Sequence, residues 1–309
     1  MKTEIKTLNL SQDGNIQCFK WSNQNNENYQ GIVLICHGMA EHIERYTGFA
    51  EFLTNAGYLV YGYNQRGHKG SIFSKEDYGY MSDDDNFKIL VHDLLEISEL
   101  IKTEHPNLPV FIFGHSMGSF VTQRFIQLHG AKIDGVILSG SAKQPNLLIN
   151  MGFIIARIIC RFKGNRYRSK LLDRLSFGKY NNNFKPYRTD FDWLNRDEVE
   201  VDKYINDEYC GGIFTAAYFR DFLKGLKAIN HNYELVRKDL PMLLISGTKD
   251  PVGGPKKYIN NLYETYKKME IVDLELKLYD DARHEILLEL NKEEVMQDCL
   301  NWLNQKTLS

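Results

Sequence analysis

Between a short apolar run, Val110-Phe111-Ile112-Phe113, and a helical pattern from Phe120 to Leu128 stand Gly114-His115-Ser116-Met117-Gly118. The spacing is G-x-S-x-G, and its place between a buried strand and a helix is what restricts the fold. A serine at such a turn takes a strained backbone conformation. A side chain at Gly114 or Gly118 would clash with the crossing strand and helix, so the serine hydroxyl is held out above the sheet edge. The next amide, Met117 N–H, lies at a helix N-terminus, where unpaired donors and the helix dipole favour an anion. Gly and Ser are common, so the pattern needs partners elsewhere in the chain.

The chain supplies a strand–helix alternation on both sides of this turn. Glu4 to Trp21 alternates around Asp13-Gly14, a hairpin signal. Gly31 to Cys36 is a continuous apolar run, as expected of a parallel strand covered on both faces. It ends in His37-Gly38-Met39-Ala40-Glu41-His42. Arg45 to Ala56 reads as a helix closed by Gly57, Tyr58 to Tyr63 as a strand, Asn86 to Glu104 as a helix, and Gly135 to Ser139 as a strand. From Ser141 to about Arg237 the alternation gives way to a helical, aromatic, unevenly charged region. It resumes with strand Met242–Ser246, a helix near Lys256–Lys268, strand Leu274–Tyr279 and a final helix Lys292–Asn304. This order predicts one doubly wound, mostly parallel α/β sheet with an inserted helical cap: core over 1–140, cap over 141–237, core again over 238–309.

At 309 residues a large core can be buried, and 43% hydrophobic with 25% charged residues is ordinary for a globular protein. A net charge of −2 supplies no field to attract nucleic acid, which is not expected as a partner. Cys18, Cys36, Cys160, Cys210 and Cys299 are scattered and never form a C-x-x-C pair. That argues against a disulfide framework or a zinc motif, and for a reducing compartment. The charged start Met1-Lys2-Thr3-Glu4 enters no apolar h-region, and no segment offers enough apolar residues to span a bilayer. A cytoplasmic location is the expectation.

A serine needs a base, and the base an orienting carboxylate. In this architecture the order along the chain is Ser, Asp or Glu, then His, each at a strand's C-terminal end. Strand 242–246 ends in Gly247-Thr248-Lys249-Asp250-Pro251, and strand 274–279 in Asp280-Asp281-Ala282-Arg283-His284-Glu285. Singly, Asp250 reads as a turn starter and His284 as a surface histidine. Together, in the required order, they complete a candidate triad with Ser116. Asp280 and Asp281 would have to fold back on the histidine to replace Asp250, and Glu285, adjacent to His284, should point elsewhere. The loop after the first parallel strand nominates Met39 N–H as a second oxyanion donor beside Met117 N–H. His37 reads as a structural residue bonding loop backbone. The mechanism requires neither metal nor cofactor.

With these residues in place, the chain resembles the monoacylglycerol lipase and lysophospholipase branch of the α/β-hydrolase superfamily. The matching pieces are His37-Gly38-Met39-Ala40-Glu41-His42-Ile43-Glu44-Arg45-Tyr46, Arg66-Gly67-His68, Gly114 to Ser119, Asp250-Pro251-Val252 and Ala282-Arg283-His284-Glu285. The resemblance implies Ser116, Asp250 and His284 as the triad and the Met39 and Met117 amides as oxyanion hole. It further implies Glu41 and Arg45 as binders of a polar, glycerol-like substrate end. The alternative for those two is a charged pair four apart at a helix start. Lys69 interrupts the family's Arg-Gly-His-Gly run, displacing Gly70 by one, and the cap finds no piecewise match.

Within the cap, Leu147 to Phe162 is dense in apolar residues, followed by Lys163, Arg166, Arg168, Lys170 and Arg174 against Asp173 alone. This suits either an interfacial helix making peripheral membrane contact or a cap helix packing its apolar side over the cleft. Phe214 to Phe222 lines the cap or fills its core, and Trp193 to Asp197 reads as a helix start without chemistry. The expected function is hydrolysis of an acyl-lipid ester, a monoacylglycerol or lysophospholipid, through an acyl-enzyme on Ser116. Rival readings are a short-chain carboxylesterase, a proline-type aminopeptidase, and a non-catalytic binding protein on the same fold. The basic, apolar segment from Met151 to Leu175 weighs against a peptidase, which needs acids to hold a peptide amine.

Overall fold

Five fully buried strands run through the centre of the molecule: β3 (Gly31–Cys36), β4 (Tyr58–Tyr63), β5 (Val110–His115), β6 (Gly135–Ser139) and β7 (Met242–Gly247). Their apolar runs are continuous because successive side chains enter cores on opposite faces. On β3, Ile32 and Leu34 join one core cluster while Val33 and Ile35 join the other. The computed structural model describes residues 1–11, 14–24, 28–254 and 256–307. Its sheet is completed by β1 (Lys2–Leu10) and β2 (Gly14–Ser22) at one edge and β8 (Leu274–Tyr279) at the other. The spatial order is β1-β2-β4-β3-β5-β6-β7-β8. Only the β1–β2 and β2–β4 pairs are antiparallel, so the expected doubly wound, mostly parallel fold is what forms. β1 and β2 pair over their full lengths, with Leu10 opposite Gly14. Asp13 of the hairpin signal lies outside the described residues.

Helices α1 (Thr47–Asn55) and α9 (Lys292–Thr307) cover one face, burying Phe49, Leu53, Val295, Trp302 and Leu303. One 3₁₀ turn, Ile43–Tyr46, precedes α1, so the helix expected from Arg45 begins slightly later. The other face takes α2 (Asn86–Glu104), α3 (Met117–His129) and α8 (Lys257–Lys268). Asp85 caps α2 by accepting from Lys88 N–H. Between β6 and β7 come α4 (Asn146–Lys163), α5 (Lys170–Phe177), α6 (Glu198–Asn206) and α7 (Ala216–Asn230). Ile149 and Ala156 of α4 are buried, and α7 sends Ala217, Tyr218 and Phe219 inward. The aromatic stretch from Phe214 is therefore core: Phe214 lies against the His68 ring at 4.8 Å, and the Tyr218 hydroxyl meets the Met117 sulfur.

Loops at the carboxyl ends of the strands are tied to the helices by buried ion pairs. Arg66, after β4, donates to both oxygens of Asp93 on α2 at 2.6 and 2.7 Å. Burial raises the Asp93 pKa, and the guanidinium only partly offsets it. Removing the cation alone would strand a buried carboxylate. Arg66→Met should therefore lose about 3–5 kcal/mol of stability in urea unfolding, and Arg66→Met with Asp93→Leu should recover most of it. Equal stability of the single variant and wild type would refute this account.

Candidate active site

Ser116 occupies the turn between β5 and α3 with φ 50° and ψ −120°, a left-handed conformation that costs a non-glycine residue about 1–3 kcal/mol. The surroundings hold it there. Ser116 N–H donates to Ser139 O at 2.9 Å, and Ser116 O accepts from Ser119 N–H and Oγ. The flanking glycines are required by contact: a Cβ at Gly118 would stand 2.1 Å from Cys36 O, and one at Gly114 2.5 Å from Thr122 Oγ1. Met117 N–H opens α3, so the amide after the serine has no partner within the helix.

Asp250 and His284 reach the same place from the tips of β7 and β8. His284 Nδ1–H donates to Asp250 Oδ1 at 2.9 Å, which leaves Nε2 with its lone pair free for a proton. The carboxylate is itself fixed, since Oδ1 accepts from Val252 N–H at 2.8 Å and Oδ2 from Ser246 Oγ at 3.2 Å. Burial opposes a charge on His284, but the adjacent Asp250 charge and hydrogen bond outweigh it, and the imidazole pKa is raised. His115, whose ring lies 4.7 Å from His284, behaves oppositely: burial, reinforced by His284, pushes its pKa down to about 3.

The loop after β3 is held by two further neutral histidines, each driven to about 3 by burial. His37 Nε2 accepts from Gln65 N–H at 3.0 Å, so Nδ1 carries the proton and donates to Gly38 O at 2.7 Å. A trans peptide points its N–H opposite to its carbonyl. Holding Gly38 O back therefore turns Met39 N–H the other way. His68 does the same for the next residue, with Nδ1–H on Arg66 O and Nε2 accepting from Ala40 N–H at 3.3 Å. Lys69, the departure from the family run, pairs with Glu44 at 3.1 Å.

Glu41 and Arg45 do form the expected pair four residues apart, at 3.1 Å, but they are not alone. Arg45 also grips both oxygens of Glu285, and its guanidinium lies 4.9 Å over the Tyr204 ring. Glu41 Oε1 accepts from Gly38 N–H at 2.6 Å and from the Tyr46 hydroxyl at 2.9 Å. Glu285 thus turns to Arg45, away from His284 as its adjacency suggested, and joins Glu41 and Arg45 in a buried charge network that sequence reasoning missed.

Ser116, His284, Met39, Glu41 and Glu285 line one cavity of about 430 Å³. Arg45 lies behind it, facing a second cavity of about 450 Å³. The β6–β7 segment walls the first cavity with Phe177, Tyr187, Phe191, Trp193, Leu194 and Tyr204. The helix start read over Trp193 to Asp197 lies at the far end of that stretch. α6 begins only after its Asp197 cap, and the Trp193 ring stands 5.2 Å from that of His284. Its one signal in the sequence was the rarity of tryptophan. Two acids of this segment, Asp173 and Asp190, also line the cavity, and Asp173 does so from the stretch Met151 to Leu175 read as basic and apolar.

The electrostatics of the pair are measurable without reference to any activity. In an NMR titration the His284 ring should titrate above its ordinary 6.5. In Asp250→Asn burial acts without the compensating charge, and the value should fall below it. An unchanged value would show that Asp250 does not set it.

The chain is similar to known proteins over most of its length. Monoglyceride lipase from Rattus norvegicus is 24% identical over 90% of this chain and 83% of its own length. Monoglyceride lipase from Saccharomyces cerevisiae is 28% identical over 93% and 89%. Among solved structures, a thermostable carboxyl esterase from Bacillus coagulans in complex with glycerol superposes with a TM-score of 0.91, at 22% identity and over 99% of both chains. The family model Hydrolase_4, described as serine aminopeptidase S33, matches residues 27–291, and the chain belongs to that family of α/β-hydrolases.

Proposed function

We propose that the chain hydrolyses acyl-lipid esters, with a monoacylglycerol or lysophospholipid as substrate. The observation that carries this reading is the convergence on one aromatic-walled cavity of a strained serine and a buried Asp–His pair. The relatives named monoglyceride lipase, matched over most of the chain, support it. His284 Nε2 takes the Ser116 proton as the oxygen attacks the ester carbonyl. The Met39 and Met117 amides hold the oxyanion, and His284 then protonates the leaving alcohol. Water activated by His284 releases the fatty acid, while Asp250 keeps the tautomer and stabilises the imidazolium. Residues 141–237 act as the cap, and Glu41 contacts the alcohol end. Arg45 acts on that end through its pairs with Glu41 and Glu285.

Asp173 and Asp190, which stand among the residues lining the cavity, favour as a second reading an aminopeptidase able to hold a peptide amine. One panel separates the two: p-nitrophenyl esters from acetyl to palmitoyl, 1-monoacylglycerol, lysophosphatidylcholine and an aminoacyl anilide. We expect turnover to rise with acyl length and to include monoacylglycerol. Ser116→Ala should lose at least about 10⁴-fold and fail to react with a fluorophosphonate. The acid limb of the rate profile should lie above pH 6.5, because only neutral His284 accepts the proton. Activity confined to acetyl esters or to the anilide would reject the lipid reading.

The cap also supports peripheral contact with a membrane. No helix among the described residues is long and apolar enough to cross one. Yet α4 is apolar on two sides: one packs inward, and the other leaves Leu147 70%, Met151 53%, Ile154 56%, Ile158 52% and Phe162 80% exposed. Exposed Arg157, Arg161 and Lys163 flank this stripe. An apolar face bordered by cations suits an anionic lipid surface. Co-sedimentation with phosphatidylserine-containing vesicles should therefore weaken at least tenfold in Ile158→Glu/Phe162→Glu, with soluble-ester turnover intact. Equal sedimentation of both proteins would remove the membrane from the picture.

A further inference from the structure

Outside the cavity of Ser116, the loop after β3 meets the segment after α6 at a cluster that the hydrolytic mechanism does not use. His42, only 4% exposed, stands between two carboxylates. Its Nδ1 lies 2.8 Å from Glu44 Oε2 and its Nε2 2.8 Å from Asp207 Oδ2. The sulfur of Cys210 completes the group: His42 nitrogen, Asp207 oxygen and Cys210 sulfur all lie within 4.8 Å of one another. No spacing in the sequence announces this, since His42 and Asp207 are 165 residues apart.

We propose that His42 Nε2, Asp207 Oδ2 and Cys210 Sγ form a binding site for one transition-metal ion, with Zn²⁺ the preferred occupant. The donor set is one nitrogen, one oxygen and one sulfur, which excludes Mg²⁺ and Ca²⁺ and suits a borderline-soft ion. Bond lengths of 2.0–2.3 Å place the donors of a tetrahedral zinc about 3.3–3.8 Å apart. The cluster, with His42 Nε2 2.8 Å from Asp207 Oδ2 and all three atoms within 4.8 Å, would reach that by side-chain rotation. Glu44 has the part of an outer carboxylate: accepting from Nδ1–H, it fixes the ring orientation, so that Nε2 presents its lone pair to the ion once the proton it shares with Asp207 has left. Lys69 keeps Glu44 in place at 3.1 Å.

Asp207 is held as well, its Oδ1 accepting from Tyr209 N–H at 2.8 Å, which leaves Oδ2 to the cluster. Burial raises the Cys210 thiol pKa, so the metal-free sulfur is a protonated, unreactive thiol. On binding, the ion takes the place of the proton between His42 and Asp207 and of the thiol proton, and both protons pass to the buffer. Arg45, whose charge acts on Cys210, is engaged by Glu41 and Glu285. Three protein donors leave a fourth position for water, and His42, Glu44 and Asp207 line the adjoining cavity of about 450 Å³ that would hold it. The ion would staple the β6–β7 segment to the loop that carries Met39.

The test uses the metal alone on the full chain. Zn²⁺ binding is measured by competition with a chromogenic chelator, and Co²⁺ binding by its thiolate-to-metal charge-transfer band. Wild type should bind one ion per chain, show the band, and rise in Tm with Zn²⁺. Cys210→Ser should lose the band, and Asp207→Asn should weaken Zn²⁺ at least tenfold. Glu44→Gln should weaken it by roughly 10- to 100-fold, as loss of an outer-sphere partner does. Cys160→Ser, at a thiol outside the cluster, should match wild type, and metal-free Tm values show whether each variant folds. Absence of the band in wild type overturns the proposal. So does a band that survives in Cys210→Ser, or Zn²⁺ affinity unchanged in a folded Asp207→Asn.

Discussion

Ser116 is held at φ 50° between β5 and α3, and beside it Gly118 packs against bare backbone. The Cys36 and His37 carbonyls occupy the space that a side chain at position 118 would need. This close approach brings the loop after β3 against the elbow, and with it the two amides assigned to the oxyanion. The strain at one residue is offset by hydrogen bonds from neighbouring strands and from α3, and these exist only when the sheet is assembled. The proposed nucleophile is thus positioned by the fold as a whole rather than by its own turn.

Histidines near this turn do two kinds of work, decided by whether a carboxylate touches the ring. His37, His68 and His115 are buried away from a directly bonded carboxylate, and burial keeps them neutral with values of about 3. A neutral imidazole offers one donor and one acceptor. His37 and His68 spend both on backbone, which satisfies groups that would otherwise be buried unpaired. His284 is equally buried, but Asp250 beside it reverses the balance and raises its pKa. The same side chain is a brace in one setting and the proposed proton carrier in the other.

Charge also joins the segment between β6 and β7 to the core. Arg45 links Glu41 to Glu285 and lies against Tyr204, whose hydroxyl donates to Ala40 O at 2.9 Å. Gly211 N–H donates to the same carbonyl, and His42 reaches Asp207. The contacts of Arg45, Ala40 and His42 with Tyr204, Gly211 and Asp207 join the loop of Met39 to residues 204–211. Movement of that segment and the geometry of the loop are therefore coupled. Arg283 adds a second tether, donating to Asn195 O at 2.9 Å beside His284.

By itself the sequence determined the strand–helix alternation, the interruption between β6 and β7, and three candidate triad residues just past β5, β7 and β8. These are local signals: an apolar run of strand length, a glycine pair around a serine, an acid and a histidine just past a strand. Ser116, Asp250 and His284 were legible for that reason. The tertiary structure alone decided what faces them. Glu285 looked like a bystander until Arg45, 240 residues away in the chain, closed on it. Trp193 carried no pattern, and the outward apolar side of α4 could not be told from its inward side, since a helix apolar on two sides gives no direction. Asp173 entered the cavity from a stretch that reads as basic, because which face a short helix turns inward is set by its neighbours. His42, Asp207 and Cys210 meet only through the crossing of two distant loops. Such contacts are fixed by the path of the chain in space, and composition and spacing hold no record of that path.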